Sequence, residues 1–364
     1  MKLKELCSFL DSAIPLSYQE GYDNSGLQVG VPENEINSAL LTLDITEDVL
    51  DEAIANSCDA IVSHHPLIFF PIKRLSGSSM TEKIVAKAIK NDIAIYSAHT
   101  NLDSIPGGVS CKMAEKMGLE NIKVLSPLKN RLLKLVAFIP ENFLDKVKNA
   151  VFEAGAGVSG KYDWCSFSTP GTGSFRPGES ANPFVGKKGE IHFEREVRFE
   201  IIMYAELKEK VVDALLKVHP YEEPAYDIYT LENDNTEAGL GCTGEFKKPL
   251  DKDGFMGLIK TVFSANSIKY SKYAGSKISK VALCGGSGAS LLREAIASGA
   301  DAFVTADIKY HSFFDAENRI LLADIGHYES EKFSVEILYN LIIKKFPTFA
   351  LRFSEINTNP INYF

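Results

Sequence analysis

Residues 59–66 read DAIVSHHP, a short apolar run closed by two adjacent histidines and a proline. A helical pattern, TEKIVAKAIKN (81–91), follows with Thr81 as its expected cap, and then comes a second apolar run, IAIYSA (93–98). The second run leads into HTNLD (99–103), again a polar segment at the end of an apolar one. Apolar runs that alternate with helical segments predict an α/β fold with a mostly parallel sheet.

The last third of the chain shows the same alternation. Its predicted elements are the strands KVALC (280–284), DAFVT (301–305) and RILLAD (319–324) and a helix, IKYHSFFDAEN (308–318). After the last strand, Gly326-His327 open a helix that we expect to extend through Lys345. The stretches CDAIVSHH (58–65) and ADAFVTAD (300–307) resemble each other. This leaves open whether two lobes arose by duplication or only share the features of any βαβ unit.

The middle of the chain follows a different order of elements. Predicted strands and helices alternate there as strand, helix, strand, strand, helix, strand, which is the order of a ferredoxin-like α+β unit. The first strand is LLKLVAFIP (132–140), and the Gly- and Pro-rich stretch STPGTGSFRPGESANP (168–183) is expected to be a loop or hairpin. We therefore predict an inserted ferredoxin-like domain over 129–237, between the segments 1–128 and 238–364 of one discontinuous, two-lobed α/β domain.

Composition limits the class of partner. The chain has 364 residues and a formal net charge of −9 at pH 7, with no long basic run. This balance argues against direct binding of duplex DNA, because proteins that bind duplex DNA neutralise its phosphates with Lys and Arg.

The six cysteines form no CxxC pair, so a thiolate zinc site is not indicated and reduced thiols in the cytoplasm are expected. No run of 18 apolar residues occurs, and Glu5 and Asp11 interrupt the N-terminal apolar stretch, so neither a membrane span nor a signal peptide is expected.

Five residues near the ends of predicted strands could ligate metal ions. They are His64, His65, Asp103, His327 and Glu331. Since ligands of α/β sheets bind beyond the carboxyl ends of the strands, we expect the five to face one cavity. Three imidazoles and two carboxylates suffice for two divalent cations, and a set of nitrogen and oxygen ligands suits Zn, Mn, Fe or Co. Each residue also has an ordinary explanation, as an exposed loop histidine, a turn aspartate or part of a surface pair four residues apart on a helix.

Three further polar residues are expected beside these ligands. His99 could fix the orientation of a neighbouring imidazole or supply an extra metal ligand. Asp307 follows a predicted strand, and His311 lies one helical turn later and could line the same cavity, with capping and hydrogen bonding as the alternatives. The turn Gly285–Gly288 could bind an anion at a helix N-terminus, but close packing is the favoured interpretation.

Six short motifs occur along the outer thirds of the chain: DNSGLQVG (23–30), SHHPLIFF (63–70), SAHTNLD (97–103), GGSGAS (285–290), TADIKYH (305–311) and DIGHYESE (324–331). In this order they resemble the NIF-three-like (Ngg-one-interacting factor three) family. Its bacterial members are known as dinuclear-metal-centre hexameric proteins or GTP cyclohydrolase I type 2 homologues. The middle segment, with HPYEEPAYD (219–227), resembles the insertion of the longer bacterial members, which is similar to nitrogen-regulatory PII and copper-tolerance folds. The chain departs from the family pattern at Ala306 and at Cys242-Thr243.

The resemblance implies a function as well as a fold. It implies metal ligands at the same five positions, two divalent ions per subunit with zinc foremost, and a toroidal homohexamer whose sites face an internal cavity. It further implies a hydrolase in which activated water opens the imidazole ring of a guanine nucleotide and formate is released. The second hypothesis is a non-catalytic metal-binding or regulatory hexamer that acts as a sensor or scaffold. A small molecule or nucleotide is the expected ligand in either case.

Overall fold

The structure is a computed structural model that describes residues 1–364. Its strands are β1 (Gly26–Val29), β2 (Ser38–Thr42), β3 (Ala60–Ser63), β4 (Ala94–Ser97), β5 (Glu120–Leu128), β6 (Leu132–Pro140), β7 (Ser166–Phe175), β8 (His192–Tyr204), β9 (Tyr226–Leu231), β10 (Asn235–Leu250), β11 (Lys269–Tyr270), β12 (Ile278–Leu283), β13 (Ala302–Thr305), β14 (Leu321–Asp324) and β15 (Ala350–Phe353).

The α-helices are α1 (Leu3–Ala13), α2 (Glu47–Ala55), α3 (Met80–Lys90), α4 (Thr100–Ser104), α5 (Val109–Lys116), α6 (Leu144–Glu153), α7 (Lys208–Val218), α8 (Lys252–Phe263), α9 (Leu292–Ala297), α10 (His327–Glu331) and α11 (Ser334–Lys345). Short 3-10 segments cover Leu16–Tyr18, Glu141–Phe143, Ala205–Leu207, Ala289–Leu291 and Tyr310–Ala316. None of the helices combines the length and the apolar character of a membrane-spanning segment.

The chain divides into two compact units. One comprises Met1–Leu128 together with Thr236–Phe364, and the other comprises Lys129–Asn235. The domain boundaries that the sequence suggests, 1–128, 129–237 and 238–364, stay a prediction.

The first sheet of the larger unit has the strand order β1-β4-β3-β2-β15. Its strands β15, β2, β3 and β4 run parallel, and β1 pairs antiparallel with β4. All residues of β3 and β4 are buried, as expected for parallel strands covered on both faces. Leu40, Ile61 and Ile95 pack in one cluster with α2 and α3, whereas Val62 and Tyr96 point the other way, into a cluster with α1 and α11.

The second sheet of the same unit has the order β11-β14-β13-β12-β10-β5. Strands β12, β13 and β14 are parallel, and the flanking strands β10 and β11 pair antiparallel with them. Within β13, Val304 packs in the cluster that contains residues of α5 and α8, and Phe303 packs in the cluster that contains residues of α9. Both sheets therefore present the carboxyl ends of buried parallel strands, where polar residues can converge.

The smaller unit is a four-stranded antiparallel sheet with the order β7-β8-β6-β9. Helices α6 and α7 bury Val147, Val151, Val211 and Leu215 in a single apolar cluster with the sheet. With the element order β6-α6-β7-β8-α7-β9, this is the predicted ferredoxin-like arrangement. The mixed α/β class with mostly parallel sheets in the larger unit is thus confirmed, together with an α+β insertion.

Local details differ from the expectations in four places. Helix α3 starts earlier, because the Ser79 side chain accepts a hydrogen bond from the Glu82 amide, so Thr81 is not its cap. Of the stretch 168–183, expected as a loop or hairpin, residues 168–175 are not loop but lie in β7, which pairs antiparallel with β8 as in a hairpin. The predicted helix 308–318 is a 3-10 segment.

The fourth difference concerns the helix that starts at His327. It is not continuous to Lys345, since α10 ends at Glu331 and α11 begins at Ser334. The Ser330 hydroxyl donates to the His327 carbonyl, a local bond that competes with the helical ladder and favours an early end of α10.

We expect the substitution Phe303→Ala to destabilise the larger unit by about 3–5 kcal/mol, because it removes a fully buried ring and leaves a cavity. The matched control is Phe314→Ala, which removes an exposed ring and should change the free energy of unfolding by less than about 0.5 kcal/mol. Urea unfolding followed by circular dichroism measures both. Equal effects of the two substitutions would contradict the assignment of Phe303 to the core.

Candidate metal centre

His64 lies just past the carboxyl end of β3 and is fully buried. Its Nδ1 atom is 2.8 Å from the carbonyl oxygen of Ala98. Since a carbonyl only accepts, the proton of the neutral ring sits on Nδ1 and the Nε2 lone pair is free. That Nε2 atom has no hydrogen-bond partner and lies 3.8 Å from both Asp103 Oδ1 and Glu331 Oε2.

His65 is held in the same manner by a carboxylate. Its Nδ1 atom lies 2.7 Å from Asp44 Oδ1, and Asp44 in turn accepts a 2.6 Å hydrogen bond from the Thr358 hydroxyl. The opposite ring nitrogen, Nε2, lies 2.9 Å from Glu331 Oε2. His65, which follows a strand of the first sheet, therefore contacts Glu331, which lies on the helix that follows a strand of the second sheet.

The second sheet contributes His327 and Glu331, four residues apart on α10. His327 Nδ1 lies 2.6 Å from Asp307 Oδ2, whereas its Nε2 lies 2.9 Å from Glu331 Oε2 and 3.3 Å from His65 Nε2. The spacing brings both side chains to the same face of one helical turn, as the sequence predicts. In His64, His65 and His327 alike, an acceptor outside the cluster fixes Nδ1, so that Nε2 is directed inward.

The structure places the candidate ligands in three overlapping groups whose donor atoms lie within 4.8 Å of one another. The groups are His65, His327 and Glu331; His64, Asp103 and Glu331; and His64, His65 and His99. All five predicted ligands are thus brought together, and Glu331 belongs to two groups. Their role as ligands stays a prediction.

The three residues expected beside the ligands have different positions. His99 joins the cluster, with its Nδ1 atom 2.7 Å from Asp23 Oδ1 and its ring about equally close to those of His64 and His65. Asp307 fixes the His327 ring. His311 belongs to none of the three groups: it is exposed, and its ring contacts Tyr310 and Phe314.

The electrostatics of the cluster favour positive charge at its centre. Burial disfavours protonation of His65, but its hydrogen bonds to Asp44 and Glu331 outweigh this and raise its pKa to about 9. In the same way, Asp307 and Glu331 raise the pKa of His327 to about 10 against the effect of burial. Burial opposes the charge of Glu331 as well, but the imidazoles around it hold its pKa well below the ordinary value. Acids that favour a proton on a ring also favour a metal cation between the rings.

Two buried atoms of the cluster indicate where a cation fits. His64 Nε2 and Asp103 Oδ1 are inaccessible to solvent and have no hydrogen-bond partner within the protein. Burial and the charge of Glu331 raise the pKa of Asp103 to about 8, which shows that a lone carboxylate is disfavoured there. An unpartnered buried polar group costs about 1–3 kcal/mol, so native structures normally supply a partner. A divalent cation between these atoms would satisfy both, and the donor set therefore fits a metal.

The whole sequence points to a family. Residues 1–360 match the family model described as Duf34/NIF3 (NGG1p interacting factor 3). The chain belongs to the NIF3 family. It is 41% identical to the GTP cyclohydrolase 1 type 2 homolog of Halalkalibacterium halodurans, over 84% of this chain and 82% of that protein. To the protein of the same name from Bacillus subtilis it is 36% identical, over 99% of this chain and 98% of that protein.

Solved structures agree with this assignment. The crystal structure of a Bacillus cereus protein related to NIF3 superposes with a TM-score of 0.86 at 36% identity, covering 100% of this chain and 99% of that chain. The resemblance predicted from the six motifs is therefore confirmed.

Sequence reasoning on this NIF3-family chain missed the residues that hold the imidazoles. Asp44 and Asp23 each bond to the Nδ1 atom of a histidine, and neither was predicted to belong to the site. A signal existed for Asp44, because it follows the apolar run of β2 just as the histidines follow β3. Asp23 follows no apolar run, although it begins the motif DNSGLQVG (23–30), and its contact with His99 depends on tertiary structure.

The glycine turn predicted to serve close packing lies against the cluster. Gly286 has a φ of 61°, and its amide donates a 2.9 Å hydrogen bond to the Ser330 hydroxyl. A Cβ atom added to Gly286 would collide with Glu331 Oε1. The turn therefore lets the backbone approach the carboxylate that two of the three groups of candidate ligands share.

We expect Gly286→Ala to displace the Glu331 carboxylate and to weaken binding of titrated Zn²⁺ by about 10-fold or more, because supporting residues usually contribute 10–100-fold in affinity. The control is Gly299→Ala, where φ is 75° and nothing lies within 4 Å of the added Cβ. Both substitutions strain a left-handed residue, but only the first meets Glu331. Calorimetric titration of Zn²⁺ into both proteins measures the difference, and equal affinities would show that the turn does not position the carboxylate.

Proposed function

We propose that this NIF3-family chain binds two divalent metal ions per subunit and acts as a metal-dependent hydrolase of the GTP cyclohydrolase I type 2 kind. The observation that carries the proposal is the position of Glu331. Its Oε2 atom lies 2.9 Å from Nε2 of both His65 and His327 and 3.8 Å from Nε2 of His64. A carboxylate surrounded by inward-directed imidazole nitrogens can serve two cations at once.

The proposed ligand sets follow the groups of donor atoms. His65 and His327 would hold one ion and His64 and Asp103 the other, with Glu331 shared between them. Zinc is proposed first because the donors are nitrogen and oxygen, with Mn, Fe and Co as alternatives. When bound, such ions supply a Lewis acid and a source of activated water near neutral pH. The protein's own residues bind the ions and fix each ring, so the geometry is set before substrate arrives.

The proposed reaction is supported by the names of the relatives at 41% and 36% identity. Water adds to C8 of the guanine ring, the imidazole ring opens, and a second water removes C8 as formate, leaving a diaminopyrimidine nucleotide. The chain supplies a partly exposed His99, fixed by Asp23, at the edge of the cluster. This ring can orient the base or the water beside the ligands.

The proposal extends to assembly and location. A toroidal homohexamer is proposed from the family resemblance, and light scattering coupled to size-exclusion chromatography tests it, since a monomer would contradict it. All six cysteines are free, as is usual in the reducing cytoplasm, which is the proposed compartment.

The metal part of the proposal makes a direct prediction. We expect wild-type protein to retain about two Zn²⁺ ions per subunit after desalting, and Glu331→Gln to lose most of both, since the shared carboxylate is removed. The control is Glu336→Gln, on α11, which breaks only an ion pair with Lys112 and Lys116. Elemental analysis gives the stoichiometry, and thermal unfolding checks that both variants are folded. Unchanged metal content in folded Glu331→Gln would refute the shared ligand.

The catalytic part is tested by formate release from GTP. We expect the metal-loaded wild type and Glu336→Gln to release formate, and His64→Ala and Glu331→Ala to release at least about 100-fold less, because both remove metal ligands. Formate is quantified with a coupled formate dehydrogenase assay. If the wild type holds its metal and releases none, the cyclohydrolase activity is refuted and the non-catalytic metal-binding function takes its place.

A further inference from the structure

A second cavity of the larger unit lies away from the cluster of ligands. It has a volume of about 630 Å³, is open to solvent, and is lined by the edge strand β11, the residues that follow it and residues 310–318. Cavities of roughly 300–1,000 Å³ are the usual size for small-molecule sites. Nothing in the metal-dependent reaction uses this cavity.

Three aromatic rings line this cavity and are open to solvent. Tyr270, Tyr310 and Phe314 are 49%, 74% and 65% exposed, and the rings of Tyr310 and Phe314 lie edge to face with centroids 5.6 Å apart. Exposed aromatic rings gathered around one concavity are unfavourable in water unless a ligand covers them. A flat ring is the ligand that such side chains stack on best.

Two lysines give the cavity its charge. Lys269 is neutralised by Asp324, with its Nζ atom 2.7 Å from Asp324 Oδ2, whereas Lys272 is exposed and has no ion-pair partner. The one acid of the lining, Glu317, pairs with Arg319 at 3.0 Å. The uncompensated charge of the lining is therefore the Lys272 ammonium, which suits an anion such as phosphate.

The cavity also adjoins the segment that carries the cluster. Lys269 on β11 pairs in register with Asp324 at the carboxyl end of β14. The Asp324 carboxylate accepts a hydrogen bond from the amide of Gly326, the residue before His327. From Lys269, opposite the carboxyl end of β14, the cavity extends along β11 to Lys272 and Asn318 near the amino end of β14.

We propose that this cavity binds a nucleoside monophosphate. The base stacks on the face of one of the two rings, Tyr310 or Phe314, and contacts the other at its edge, since the rings are inclined at 73°. The phosphate pairs with Lys272. The ligand is expected to combine a flat ring with an anionic group, because the lining contains both exposed aromatic rings and the unpaired ammonium of Lys272. The site does not require bound metal and does not rest on the hydrolase function.

Calorimetric titration of the full-length protein with GMP tests the assignment, with guanosine and ribose 5-phosphate as probes of the two halves. We expect GMP to bind more tightly than either probe. Tyr310→Ala and Phe314→Ala should each weaken GMP binding by about 10-fold, since one stacked base is worth roughly 1–3 kcal/mol and each 1.4 kcal/mol is a factor of ten. Lys272→Gln should weaken GMP but leave guanosine unchanged.

The matched controls separate this site from others. Tyr162→Ala removes an equally exposed ring in the smaller unit and should leave GMP binding unchanged. Glu336→Gln, which removes a surface ion pair away from both the cluster and the cavity, should also bind GMP like the wild type. Absent GMP binding, or GMP binding unaffected by the cavity variants, would overturn the proposal. Equal loss of GMP and guanosine binding in Lys272→Gln would overturn the phosphate assignment.

Discussion

The contact on which the site depends is the one between His65 and the Glu331 carboxylate. The two residues are 266 positions apart and follow strands of different sheets, yet their side chains lie 2.9 Å apart. A buried carboxylate is tolerated only when charged or hydrogen-bonded partners surround it. Glu331 is almost inaccessible to solvent. Its partners, His64, His65 and His327, follow strands of both sheets. The buried negative charge of Glu331 is therefore stabilised only when the carboxyl ends of the two sheets face each other.

A layer of acceptors outside the cluster makes this contact specific. Asp44, Asp307 and the Ala98 carbonyl bond to the Nδ1 atoms of three different imidazoles. They select the tautomer that leaves Nε2 available to the centre, and they add negative charge that favours a cation there. The result is a cluster in which the orientation of the rings and the electrostatics both favour a cation at the centre.

The parts of this structure that sequence alone predicts are local ones. His64 and His65 could be placed because they follow a run of apolar residues, and His327 and Glu331 because four residues make about one helical turn. The long strand β10 was not predicted, since its sequence contains three glycines and no extended apolar run. Asp44 likewise follows an apolar run, but that pattern does not name its partner. The contact of Asp44 with His65 arises because β2 and β3 are neighbours in the sheet, and the local sequence does not predict which strands are neighbours.

The position of β15 has a consequence for how the protein is made. This strand, Ala350–Phe353, pairs with β2 at the edge of the first sheet, although some three hundred residues separate the two. During synthesis on the ribosome, the first sheet therefore lacks β15 until nearly the whole chain has emerged. Until then His64 and His65, which follow β3, also lack their contact with Glu331. Closing such distant contacts is slow compared with local folding. The cluster is complete only when the carboxyl-terminal third joins the amino-terminal part, in which the Nδ1 atoms of His64 and His65 already have their acceptors.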